Sequence, residues 1–277
     1  MIGVMMTYKP SPKPNFHEPT HIDYKKMETY MWGDDEAGKV KDWIYVSNKS
    51  LHQIIFGLEP GGSFKHSDQY RTIFGADELL YVLSGVLIIN NPETGETHKI
   101  LPGESVFFKK DTWHHAFNYS EEYLQVLEFF SPPPITGTSG AYAKEKKLLK
   151  NLKYKRDNYS YPSENFKNEN AFKIIRSSNY IWSLEGKNKQ SLIATLVKTI
   201  NLDVKIINLQ SLQESDIFKF KNHTTYLSLT DNLEVNLDNH KKFILNKKDG
   251  LYLPHDTSFK LKNLNNFEAN IILCIGI

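Results

Sequence analysis

Between Ile44 and Phe130 the apolar residues of this chain come in short strand-like runs divided by Gly, Pro, Asn and Asp punctuation. The runs cover residues 53–58, 79–90, 98–101, 105–109, 114–118 and 124–130. Between them stand Glu59-Pro60-Gly61-Gly62, Asn91-Pro92-Glu93-Thr94-Gly95, Pro102-Gly103 and Lys110-Asp111-Thr112. Such spacing leaves no room for the crossover helices that parallel strands need, so the strands must be antiparallel neighbours in a sandwich or barrel. The 15 Tyr and 16 Phe favour the same all-β reading.

At 277 residues the chain is long enough for two domains of ordinary size. The sequence past residue 171 repeats the order of features of the first block, with apolar runs at 191–199, 204–209, 226–229, 233–237, 242–245, 251–253 and 271–277. Glu78-Leu79-Leu80-Tyr81 falls opposite His223-Thr224-Thr225-Tyr226. Asp111-Thr112-Trp113-His114, with Asn118 four further on, falls opposite Asp256-Thr257-Ser258-Phe259, with Asn263 four further on. Repetition of this kind marks an internal duplication. Pro132, Pro133 and Pro134 end the first block, since proline cannot continue a central ladder. The lysine-rich stretch 141–156 has good helix formers and reads as a solvated linker helix.

A formal net charge of +2 gives no field for gripping a polyanion, which excludes nucleic acid as an expected partner. The single cysteine, Cys274, lies in an apolar run and reads as a core thiol; the lack of a disulfide framework fits a cytoplasmic location. Residues 1–16 carry three prolines and no signal-peptide run, and nowhere do eighteen apolar residues follow one another, so no membrane segment is expected.

Within the first block Gly103, Lys109, Asp111, His114 and Asn118 keep every interval of the second cupin motif, with Lys109 and Asp111 at its usual Pro and Gly. Gly61, His66, Glu78 and Gly85 follow the first motif, one residue short between Gly61 and His66. From about residue 53 to 133 the chain therefore resembles the cupin superfamily, and more weakly so in its C-terminal half. The resemblance implies two tandem jelly-roll β-barrels joined by a helical linker: residues 1–135 an N-terminal extension and metal-binding barrel, 136–170 the linker, 171–277 a barrel without the site. It also implies a divalent ion on His66, Glu78 and His114. The motif's second histidine is missing: Asp68 holds its register counted from His66, whereas Ile73 or Phe74 holds it counted back from Glu78.

Two imidazoles and one carboxylate suit Fe(II), with Mn, Ni, Co or Zn as alternatives; Asp68, as a fourth ligand, would shift the preference to harder ions. His115, next to His114, must face the other side of a strand and reads as a surface or interface residue, with Trp113 sharing its parity. Residues 67–76 interrupt the first motif as an inserted loop, in which Tyr70 and Arg71 are candidates for the mouth of the site, Arg71 as a clamp for an anion. Glu128, a carboxylate inside an apolar run, either faces solvent or handles a proton in the interior. In the second barrel Phe259 replaces His114 and His223 replaces Glu78, which removes the ligand set, and His240 and His255 read as surface residues.

The leading expectation is a metal-dependent oxygenase of Fe(II) type acting on a small polar organic compound. The alternatives are a non-redox lyase, isomerase or decarboxylase, with Tyr70 or Glu128 moving the proton, and a non-catalytic ligand-binding cupin. A homodimer, or a second barrel that serves as scaffold for the first, is the expected assembly.

Overall fold

The structure, a computed structural model, describes residues 11–131, 141–157, 170–186, 189 and 191–276. The prolines 132–134 and most of the stretch 158–170 lie outside them. Two seven-stranded and two four-stranded sheets make up the described chain, every strand pairing antiparallel. The all-β fold with tandem barrels follows directly from the turn-punctuated runs.

In the first barrel the large sheet runs in the order Lys173–Ile175, Ser105–Phe108, Asp77–Ser84, Leu124–Ser131, His52–Leu58, Gly38–Ser47, Tyr30–Asp34. Facing it are Ser63–Phe64, His115–Asn118, Leu87–Asn91 and Glu96–Ile100. The apolar run 79–90 divides at Gly85, whose φ of +74° turns the chain from one sheet to the other; a Cβ there would lie 2.8 Å from the Leu124 Cα. The second barrel repeats the plan, with Thr20–Ile22, Gly250–Leu253, Thr224–Ser228, Ala269–Gly276, Leu202–Leu209, Ser191–Lys198 and Trp182–Glu185 in its large sheet.

The duplication extends to single hydrogen bonds. The Asn118 side-chain amide donates to the carbonyls of Leu58, Glu59 and Glu122. That of Asn263 donates to Leu209, Gln210 and Phe267, the matching positions of the second barrel. Asp111 and Asp256, at φ of 66° and 58°, occupy the same left-handed turn.

Each barrel borrows an edge strand from beyond its own block. Thr20–Ile22 pairs with Gly250–Leu253 of the second barrel, and Lys173–Ile175 pairs with Ser105–Phe108 of the first. Alternation along the large sheets gives each one two apolar faces. One face fills its own barrel. The other meets the neighbouring barrel, where Tyr45, Ile55, Leu79, Leu127 and Phe129 pack with Leu196, Val204, Ile206, Ile272 and Cys274 in one cluster. The second barrel thus supplies half of the core beneath the first barrel's large sheet.

The linker departs from expectation. Its helix covers only Ala141–Glu145, and the residues that follow, to 157, carry no helix or strand. That stretch is held by contacts a solvated helix could not make: Lys146, Leu149 and Lys153 offer backbone carbonyls to side chains of the first barrel, and the Lys153 amide donates to the Pro92 carbonyl. Tertiary hydrogen bonds outweigh helix propensity of a few tenths of a kcal/mol per residue.

Candidate functional site

The interior of the first barrel is apolar apart from a few acids and a histidine. Leu80, Val82, Val106, Val126 and Ile54 belong to its core cluster. Glu78 shares a face with Leu80 and Val82, and Glu128 with Val126, so both carboxyls point inward. Glu128 lies across from Leu80, diagonal to Glu78, within reach of long side chains on one sheet face. They are 1 % and 5 % exposed, and neither oxygen of Glu78 accepts a hydrogen bond from a donor group. Burial, and then its partner Glu128, pushes the Glu78 carboxyl well above the carboxylate range; burial raises Glu128 as well, and the two are close enough to share one proton. The buried reading of Glu128 therefore replaces the solvent-facing one.

His114 completes the group. Its ring is enclosed by Phe64, Phe74 and Phe108, at centroid distances of 5.7, 5.4 and 4.6 Å. Burial lowers its pKa to about 4, so the imidazole is neutral. Nδ1 faces the Thr112 carbonyl at 3.3 Å, which assigns the proton to Nδ1 and leaves Nε2 as an acceptor, 3.6 Å from Glu78 Oε1.

The expected third ligand is elsewhere. Had the strand Ser63–Phe64 continued, His66 would share the inward parity of Phe64. The strand stops at Phe64, and the inserted residues turn at once, the Ser67 amide donating to the Tyr70 carbonyl and the Ser67 hydroxyl to Asp34. His66 consequently lies on the outer side of the small sheet, with Trp113 and His115 at ring distances of 4.8 and 4.9 Å. Its Nε2 meets the Leu149 carbonyl at 2.9 Å and its Nδ1 meets His115 Nε2 at 2.9 Å. The motif position counted back from Glu78 is filled by Phe74, whose ring covers His114.

The other loop candidates are likewise away from Glu78. Asp68 is exposed, Tyr70 packs against the Trp32 ring at 5.0 Å, and Arg71 donates from Nη1 to the Lys146 carbonyl at 2.8 Å. Arg71 anchors the linker instead of clamping an anion. His115 does point to the opposite face from His114, yet it is fully buried there under the linker and Tyr154. In the second barrel Phe259 is a core residue, and His223 bonds the Tyr252 hydroxyl at 2.7 Å.

The His66–His115 pair makes the fold acid-sensitive. The Leu149 carbonyl calls for a proton on His66 Nε2; His115 Nε2 lies 2.9 Å from His66 Nδ1 and accepts from the His66 backbone amide at 3.4 Å, and His115 Nδ1 has no partner. Burial, then the neighbouring His66, pushes His115 down to about 3. The unfolded chain binds a proton near pH 6.5 that the folded chain refuses, so stability is complete above about 6.5 and declines as pH falls toward 3. From pH 7 to 5 the loss from His115 is about 2 kcal/mol. Urea unfolding at the two pH values should show a smaller decline in His115→Gln, which keeps a polar amide toward His66 but cannot titrate; equal declines would show that His115 does not carry the effect.

Asp42 is an interior acid of the large sheet that sequence reading missed. It alternates with Val40 and Ile44 on the inward face of Gly38–Ser47 and is 8 % exposed. Burial, then Glu128, raises its pKa well above the usual value. The alternation of residues 40, 42 and 44 is a usable signal, but it lies ahead of Ile44, where the turn-punctuated block begins.

Among the described residues no three His, Cys, Asp or Glu side chains are drawn together as a ready metal-ligand set. The interior donors nonetheless fit a divalent ion. His114 presents a neutral nitrogen fixed by its other ring atom, and Glu78 has two oxygens with no donor. Two ligands each about 2.1 Å from one ion at tetrahedral or slightly wider angles lie roughly 3.4–3.6 Å apart, the separation found here.

Comparison with known proteins bears on the fold. Residues 54–130 match the family described as the cupin domain. Protein Ylba from E. coli is similar over 96% of this chain and 94% of its own, with 13% identity and a TM-score of 0.63. AerE from Microcystis aeruginosa is similar over 94% of this chain and 97% of its own, with 12% identity and a TM-score of 0.58. A mutant of the oxalate decarboxylase OxdC from Bacillus subtilis is similar over 96% of this chain and 78% of its own, with 10% identity and a TM-score of 0.62. No curated protein matches the sequence. Among the described residues no helix is long and apolar enough to cross a membrane.

Proposed function

Residues 54–130 match the cupin domain family and the chain has an all-β fold of two tandem barrels, and from that premise we propose that the first barrel is a metal-dependent enzyme site for non-redox proton transfer on a small polar compound. A lyase, isomerase or decarboxylase reaction fits this description. The observation that carries the reading is the Glu78–Glu128 carboxyl pair, buried beside a neutral His114, with no donor to either oxygen of Glu78.

His114 Nε2 and Glu78 would hold the ion, which when bound supplies Lewis-acid polarisation of a substrate oxygen. Glu128 has the complementary task. A carboxyl raised by burial is protonated nearer neutrality than an ordinary glutamate, and so is matched to giving and taking a proton at a substrate carbon or oxygen. The aliphatic walls formed by Leu80, Val82 and Val126 exclude water and strengthen each charge interaction inside. The oxygenase reading rests on a face of two histidines and one carboxylate. With His66 turned outward, the non-redox reading has the stronger support.

The test is carbon-bound hydrogen exchange. Protein loaded with Mn(II) under strict anaerobiosis is incubated in deuterated water with a panel of small polar compounds, and deuterium incorporation is followed by NMR. Exchange on at least one compound is expected, reduced about 10²–10⁴-fold in Glu128→Gln with metal content unchanged. Turnover that requires dioxygen and ignores Glu128→Gln would restore the oxygenase reading.

A further inference from the structure

The large sheet of the barrel that holds the candidate site carries three buried inward carboxyls and no buried lysine or arginine. Asp42, Glu78 and Glu128 are all nine-tenths or more buried, whereas no lysine or arginine is buried among the described residues. Nothing positive offsets the three acids: apart from burial itself, each of Asp42 and Glu78 feels chiefly Glu128. Asp42 has no hydrogen bond or ion pair to any described residue.

Asp42 is also bounded by aromatic rings. Tyr30 and Phe56 are its direct cross-strand neighbours on the same sheet face. Phe56 packs on Phe64 at 5.4 Å, Phe64 on Trp32 at 5.8 Å, and Phe64 in turn on His114 at 5.7 Å. A row of rings thus leads from Asp42 to the His114–Glu78 pair. Tyr30 and Trp32 sit on the edge strand Tyr30–Asp34 and are only half-buried, which puts the Asp42 end of the row next to solvent.

We propose that the first barrel selects substrates bearing an organic cation, an ammonium group seated on Asp42 between the rings of Tyr30 and Phe56. This rests on the barrel interior being the active site, as argued above. The placement of Asp42 gives the reason. It is a buried acid with no hydrogen-bonded or ionic partner among the described residues, and no lysine or arginine is buried to serve as one. A monocation there supplies the partner that Asp42 lacks, while a carboxylate or phosphate group would meet an unpaired acid. Aromatic faces supply the rest of the attraction through cation–π contact. Arg71, the group that could have received an anion, is committed to the Lys146 carbonyl.

The experiment is titration calorimetry of the full chain, metal-loaded, with ethylammonium and tetramethylammonium as probes and propionate as an anion of similar size. Metal content is measured on the same samples. At least one ammonium probe should bind, propionate should not, and Asp42→Asn should weaken ammonium binding at least tenfold while leaving metal content and unfolding midpoint near wild type. Tyr30→Leu should weaken it as well. Propionate binding as tightly as the ammonium probes, ammonium binding indifferent to Asp42→Asn, or no ammonium binding by folded wild type would each overturn the proposal. Metal retention without ammonium binding sinks this inference alone. Ammonium binding that depends on Asp42 in a protein that takes up no metal would sink the metal-dependent reading and leave this one standing.

Discussion

His114→Ala is expected to lower bound divalent metal from near one per chain to near zero, with Glu78→Gln having the same effect, while His66→Ala leaves metal content unchanged. The asymmetry follows from placement. His114 Nε2 and Glu78 Oε1 converge at 3.6 Å inside the barrel, whereas both ring nitrogens of His66 are used on the outside, by His115 and by the Leu149 carbonyl. Removing one of two strong ligands from a buried site costs most of its affinity. Metal analysis after dialysis against Mn(II), with circular dichroism to confirm folding, decides the matter. Loss of metal in His66→Ala would mean that the loop swings inward on binding and that the sequence-based set of His66, Glu78 and His114 is the operative one.

Phe129→Ala should destabilise the protein by roughly 3–5 kcal/mol, the range for removing a large buried aromatic side chain. Phe129 is fully buried, and it lies on the face of Leu124–Ser131 that meets the second barrel. There it shares one cluster with Leu196, Val204, Ile206, Ile272 and Cys274. The side chain therefore belongs to both barrels at once, and urea unfolding should show one cooperative transition at a lower midpoint. Two separated transitions in the variant would mean that the barrels are stable independently and that the shared cluster is not what couples them. A barrel stripped of its ligands is kept, on this view, because the large sheet of its neighbour needs an apolar surface to cover its outer face.

Much of this was legible in the sequence. Turn residues at Gly61, Pro92 and Gly103 set short antiparallel strands, and the intervals around Asn118 and Asn263 disclosed the duplication, because each asparagine must reach three carbonyls of its own barrel. Period-two alternation sufficed to send His114 and His115 to opposite faces and to bring Glu78 into line with Leu80 and Val82. These are local properties, fixed by backbone geometry within a few residues.

Tertiary structure decided the rest. Whether His66 faces in or out depends on where the strand Ser63–Phe64 ends and how an inserted loop closes, which in turn depends on Asp34 and on the Leu149 carbonyl, remote in sequence. The linker lost most of its helix to carbonyl contacts that exist only once the barrel is there to receive them. His115 became buried because that same linker covers it. The burial of Glu128 and the presence of Asp42 beside it required knowing which strands lie next to one another, since a carboxylate on a strand reads alike whether its face meets water or a core. Sequence sets parity and period; only the packed chain says what each face meets.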